Sequence, residues 1–225
     1  MLLLQFSTSH YCRKVRLALN YKNAEFQIEN LTPGLHIPKI KALAGTTTVP
    51  VLLLNHSKSS KAIADSTHIF EYLEQTFPDP PLFPATDLLK HEVKMLEDWL
   101  DESIGVATRF VYYDYRAKEG KAIDPSFTSQ VIIQVVRRQY GMTEARVRLA
   151  KERLADALVF LQERWSDRYL VGDRPSVADL TAAALLSPLA LLPHYRTEHP
   201  WLFERIRDIH HLCGEPLPPG LADKA

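Results

Sequence analysis

At 225 residues the chain is long enough for one or two domains, and 46% hydrophobic against 24% charged residues excludes a fibre or a disordered polymer in favour of a soluble globular fold. The 27 Lys and Arg balance 27 Asp and Glu, which removes any global electrostatic drive toward nucleic acid or an anionic membrane. Two cysteines, Cys12 and Cys213, cannot build a disulfide framework; the opening Met1-Leu2-Leu3-Leu4 is too short for a signal segment, and no apolar run nears the roughly 18 residues of a membrane span, so a reducing, cytoplasmic setting is expected.

Leu2 to Phe6 reads as a short strand, followed by the polar Ser7-Thr8-Ser9-His10 and a helix carrying Val15, Leu17, Ala18 and Tyr21. Phe26 to Ile28 reads as a second strand, parallel to the first through a right-handed crossover. The turn Thr32-Pro33-Gly34 precedes a brief helix, Ile37 to Leu43, which Gly45 ends. Val49 to Leu54 and Lys61 to Ala64 flank Asn55-His56-Ser57-Lys58 as a hairpin, and a helix runs from Ser66 to about Phe77. The order βαβαββα, a parallel pair followed by a hairpin, is that of a thioredoxin-like domain over residues 1–77.

Pro78, Pro80, Pro81 and Pro84 mark a linker over residues 78–87. Beyond it, Leu88 to Arg116 shows helical spacing in Leu89, Val93, Leu96 and Leu100, and Glu144 to Trp165 repeats it in Val147, Leu154, Leu158 and Leu161. An all-helical second domain over residues 88–225 follows, closing in a loose tail at Pro216-Leu217-Pro218-Pro219-Gly220.

Two short motifs in the first domain carry chemistry. Proline inside an apolar β run cannot donate to a ladder, so Val49-Pro50 is read as a cis bond that turns the Val49 backbone toward an extended ligand. Asp65-Ser66 opens the amphipathic run Ile69, Phe70, Tyr72 and Leu73, where the first free N–H groups of a helix can hold a carboxylate. Asp65 can then pair with an amine. Alone, the first motif is an ordinary loop and the second an ordinary cap; together they outline a site for a small acidic peptide.

With the two-domain order, Val49-Pro50 and Asp65-Ser66, the chain resembles the cytosolic glutathione transferase family over nearly its whole length. Gly172-Asp173-Arg174-Pro175-Ser176-Val177-Ala178-Asp179 is similar to the capping-box segment of that family's helical domain. Ser176 and Asp179 can satisfy each other's orphan N–H groups at a buried helix start, a role in folding. The resemblance implies a glutathione site in which Val49 and Pro50 pair with the cysteinyl backbone. Ser66 would hold the γ-glutamyl carboxylate and Asp65 the α-amine, and His36, Lys39 or Lys41 would meet the glycyl carboxylate.

The activating group falls in Ser9-His10-Tyr11-Cys12, between the first strand and helix, where thioredoxin-like proteins keep a pair of cysteines. A free thiol has a pKa of about 8.5, so it must be stabilised as the thiolate to attack. Ser9 is expected to donate to the sulfur, by resemblance to the serine-type transferases, aided by the helix terminus and by Arg13, Lys14 and Arg16. Tyr11 and Cys12 are its rivals, and capping the helix is its bland alternative. Phe110, Tyr112, Tyr113 and Tyr115, with Arg109 and Arg116 nearby, are the candidate wall of an electrophile pocket, against the plainer reading of a core stripe. His210-His211 and Cys213 are packed too closely in sequence for a metal site.

The function expected is conjugation of glutathione to small hydrophobic electrophiles, a detoxification chemistry. The enzyme would be a cytoplasmic homodimer with glutathione as co-substrate, no metal or organic prosthetic group, and no nucleic-acid or membrane partner. The alternatives are a non-catalytic glutathione- or ligand-binding protein and a glutathione-dependent thiol reductase or peroxidase using Cys12.

Overall fold

Leucine alternation in the first strand sorts the layers of the N-terminal domain. The computed structural model describes residues 1–54, 61–165 and 167–222. Its elements begin β1 (Leu2–Gln5), α1 (His10–Tyr21), β2 (Gln27–Asn30), α2 (Ile37–Ala44), β3 (Val51–Leu53), β4 (Ala62–Ala64) and α3 (Ser66–Thr76). The sheet order is β2-β1-β3-β4, with β1 parallel to β2 and antiparallel to β3, and β3 antiparallel to β4. Leu3 and its partner Leu52 point into the core shared with α1 and α3, whereas Leu4, Val51 and Leu53 meet Ile40 of α2 on the other face. This is the thioredoxin-like arrangement expected. The hairpin turn at Asn55 to Lys58 lies outside the described residues.

The helical domain comprises α4 (Asp87–Trp99), α5 (Gly105–Ala117), α6 (Phe127–Gln139), α7 (Glu144–Arg164), α8 (Val177–Leu186), α9 (Pro193–Glu198) and α10 (Pro200–Leu212). Leu88 to Arg116 is not one regular helix, because a π-helical segment, Leu100–Ile104, joins α4 to α5. One residue of extra winding turns every later side chain by about 100° around the axis, so faces read from a continuous spacing are wrong beyond Leu100. Every residue of α8 is buried, as a helix apolar on all sides must be. Asp179 holds its start, accepting from the N–H of Leu170 and of Ser176 and from the Ser176 hydroxyl, each at 2.8 Å. Burial nevertheless pushes that carboxyl up to about 6, against the pull of these donors.

One expectation gives way here. The C-terminal segment is packed rather than loose: Leu221 is buried, and buried Glu215 binds Arg16 Nε at 2.6 Å and Asn20 Nδ2 at 2.9 Å. The proline-rich stretch is stapled to both domains, since the Leu82 N–H donates to Glu74 and its carbonyl accepts from Val177, both at 2.9 Å.

Candidate active site

Strand register brings the scattered candidates to one end of the sheet. Leu4 near the close of β1 faces Val51 at the start of β3, and Val51 faces Ala64 at the close of β4. The loop leading to α1, the Val49-Pro50 entry to β3 and the Asp65-Ser66 exit from β4 therefore share that end, and both α1 and α3 begin there. The Val49-Pro50 bond is cis, and Val49 makes no backbone hydrogen bond among the described residues. Asp65 sits at φ 75°, a left-handed backbone that a non-glycine residue adopts at a cost of about 1–3 kcal/mol. Its Oδ1 caps α3 by accepting from the Thr67 N–H at 2.8 Å. Ser66 is buried, and its hydroxyl makes no hydrogen bond among the described residues.

Ser9 caps α1, its Oγ accepting from the Cys12 N–H at 3.3 Å. Capping occupies one acceptor site and leaves the hydroxyl proton to give, so the cap and donor readings of Ser9 are compatible. Its rivals are differently placed. Tyr11 donates its proton to the Asp101 carbonyl at 2.8 Å, and burial raises its pKa. Cys12 is fully buried, and burial raises its thiol pKa against a hydrogen bond from Ser9.

The basic run beside them is engaged in the interface with the helical domain. Lys14 is fully buried and ion-paired to Glu97 and, at 2.5 Å, to Asp101. Arg16 binds Glu215 and Gln5, while Arg13 donates to Ser187 Oγ at 2.5 Å and burial lowers it to about 10. These charges bind α1 to the helical domain. Thr67 extends the network, donating to Glu97 Oε1 at 3.1 Å. Sequence reading missed this staple, although three cations within four residues of an otherwise apolar helix were its signal.

The α2 candidates separate too. His36 accepts from the Gly34 N–H through Nδ1 at 3.1 Å, its Nε2 meets the Thr47 carbonyl at 3.0 Å, and its ring packs edge-on to Phe6. Both nitrogens are committed, so His36 braces the loop and is not a free cation. Lys39 pairs with Glu29 on the surface, and Lys41 is exposed with no ion pair among the described residues.

The aromatic wall is a partial correction. Phe110 is core, only 4% exposed, beneath the Arg146 guanidinium. Tyr115 packs against Gly120, and Tyr112 accepts from buried Arg116 at 2.9 Å. Tyr113 is half-buried, within electrostatic reach of Arg109 and Tyr140. The Arg109 guanidinium lies over the rings of Tyr11, at 4.9 Å, and Tyr140, at 4.6 Å, between the domains. Gly105 permits that approach, since a Cβ there would lie 2.9 Å from the Tyr11 hydroxyl and from Leu185 Cδ1. His210 is buried with Nδ1 against the Pro216 carbonyl at 2.8 Å, and no metal-holding group of three or more His, Cys, Asp or Glu exists among the described residues. No described helix is long and apolar enough to cross a membrane.

A thioredoxin-like domain with a cis-proline strand entry, an acid-capped helix start at the same sheet end and a docked helical domain defines a protein of glutathione-transferase architecture. Residues 3–81 match the family model described as glutathione S-transferase, N-terminal domain, and residues 134–208 match glutathione S-transferase, C-terminal domain. The chain belongs to the glutathione S-transferase family. It is 24% identical over 175 residues to a probable maleylacetoacetate isomerase of Caenorhabditis elegans, spanning 77% of this chain and 71% of that one. It is 25% identical over 191 residues to FtsZ-localized protein A of Caulobacter vibrioides, spanning 84% and 75%. A glutathione S-transferase of Methylobacterium radiotolerans, solved with glutathione sulfonate, shares the fold at TM-score 0.72 and 21% identity, over 100% of this chain and 96% of that one.

Proposed function

We propose that the protein is a glutathione transferase in which Ser9 activates the thiol. The observation that carries this reading is the position of the Ser9 hydroxyl at the N-terminus of α1, half-buried and at the same sheet end as the Val49 backbone and the start of α3. Glutathione would pair its cysteinyl backbone with Val49 beside Pro50. Its γ-glutamyl carboxylate would take the α3 N–H groups and the Ser66 hydroxyl, and its α-amine the carboxylate of Asp65. Among the α2 cations, Lys41 is the better candidate for the glycyl carboxylate, because Lys39 is already paired. The sulfur, held as thiolate by the Ser9 O–H and the field of α1, bonds to an electrophilic carbon. In substitution the leaving group departs with the electron pair of its bond; in conjugate addition the π pair of the attacked double bond moves to the adjacent carbon, which collects a proton.

Burial of Cys12 speaks against the reductase alternative. The likeness to FtsZ-localized protein A keeps a binding role as the second reading. Pairing of two copies belongs to the first, supported by Leu88 and Met95, seven residues apart on α4 and both exposed, and sedimentation velocity reads it. The deciding experiment follows thiolate ultraviolet absorbance of the glutathione complex against pH in wild type and Ser9→Ala. A thiol pKa well below about 8.5 that rises in the variant is expected. An unshifted pKa with retained binding would replace the transferase by a glutathione-binding protein.

A further inference from the structure

Among the cations on α1 and α5 at the domain interface, Arg109 stands apart. Lys14 and Arg16 hold carboxylates, Arg13 and Arg116 hold hydroxyls, yet among the described residues no hydrogen bond or ion pair engages the Arg109 guanidinium. It is held instead by its faces, against Tyr11 and Tyr140. A guanidinium stacked on rings keeps its in-plane N–H groups free, and those make the two parallel bonds that a carboxylate accepts. The two ring contacts hold Arg109, itself only partly buried, in place before any anion arrives.

A second observation marks the same place. His10, next to Tyr11 with ring centroids 4.7 Å apart, is 8% exposed, and its Nε2 is buried without a hydrogen-bond partner. Burial, with Arg109 and then Arg13 as the nearby cations, holds the ring well below its ordinary pKa against a hydrogen bond to the Gly105 backbone. Of the acids near Tyr11, Asp101 is already bound to Lys14 and Glu102 is exposed. The cleft therefore presents unspent positive charge and an unspent imidazole nitrogen. Both lie beside the first turn of α1, at His10 and Tyr11, one and two residues beyond Ser9.

We propose that Arg109, stacked between Tyr11 and Tyr140, is the specificity-determining receptor for a carboxylate on the second substrate, so that the protein acts on acidic electrophiles in preference to neutral hydrophobic ones. This rests on the transferase reading above and replaces its general electrophile with a charged class.

The test uses a chloronitrobenzoate and its methyl ester, each rate divided by the uncatalysed reaction with glutathione. Wild type is expected to prefer the acid. Arg109→Gln should lower kcat/KM for the acid about tenfold to a hundredfold, the worth of a charge-assisted hydrogen bond, with the loss in KM. The ester should move by no more than about threefold, which also shows that the variant is folded. Arg109→Lys, which keeps the charge but not the fork, should recover part of the loss. Equal losses on acid and ester, or none on the acid, would overturn the proposal. Should wild type turn over neither compound, the transferase reading fails, and calorimetry with the carboxyphenyl conjugate of glutathione and its ester still reads Arg109. A preference of about tenfold for the acid conjugate that vanishes in Arg109→Gln upholds the receptor, and equal affinities dispose of it.

Discussion

The first turn of α1 and the turn that follows it are made of neighbouring residues with opposite fates. At Ser9 to Cys12 the helix start carries a half-buried hydroxyl whose bonds are all to its own turn, at the sheet end where β3 and α3 begin. At Arg13 to Arg16 the three charged side chains are buried and bound, Arg13 to Ser187, Lys14 to Glu97 and Asp101, and Arg16 to Glu215 and Gln5. A site must leave polar groups unsatisfied until a ligand arrives, whereas a buried domain interface must satisfy every charge it encloses. One helix can do both because its fields and its packing act on different turns.

The contrast can be broken most severely at Lys14. Lys14→Met strands Glu97 and Asp101 in the interface and should cost about 3–5 kcal/mol, read by urea unfolding; a loss below about 1 kcal/mol would mean the pair is exposed to water in solution. Asp179→Ala comes next, at about 2–4 kcal/mol, because two backbone N–H groups lose their acceptor at a buried helix start. The same residue sets a pH dependence. Its folded pKa of about 6 lies above the roughly 3.9 of an unfolded Asp, so the folded state holds the proton more tightly. Stability should therefore fall as pH rises from about 4 to about 6 and level off above, and Asp179→Asn should flatten that slope.

At the open end of α1 the effects should be smaller in stability and larger in chemistry. Ser9→Ala should raise the bound thiol by one to two pKa units, about 1.4–2.7 kcal/mol, while unfolding loses the roughly 0.5–2 kcal/mol of a cap. Tyr11→Phe is the mildest, removing one hydrogen bond to Asp101 for about 0.5–1.5 kcal/mol and leaving the thiol titration unmoved. A thiol pKa that rose in Tyr11→Phe and not in Ser9→Ala would exchange the roles given to the two residues.

Sequence alone determined the features whose causes lie within a few residues. Alternation in Leu2 to Gln5, the glycine stop after Ala44, the proline entering β3, the Ser9 cap and the reciprocal pair at Ser176 and Asp179 each act through neighbouring backbone, so pattern and residue type suffice to read them. Tertiary structure decided what depends on partners far along the chain. Lys14 meets Glu97 and Asp101, Arg16 meets Glu215 and packs down the tail, and Tyr11 gives its proton to Asp101; no local spacing encodes those pairings. The faces of α5 likewise follow from the π-helical segment before it, which sent Phe110 to the core and set Arg109 between two rings. Local propensity chooses elements, but the fate of a charge or an aromatic face is set by what the fold packs against it.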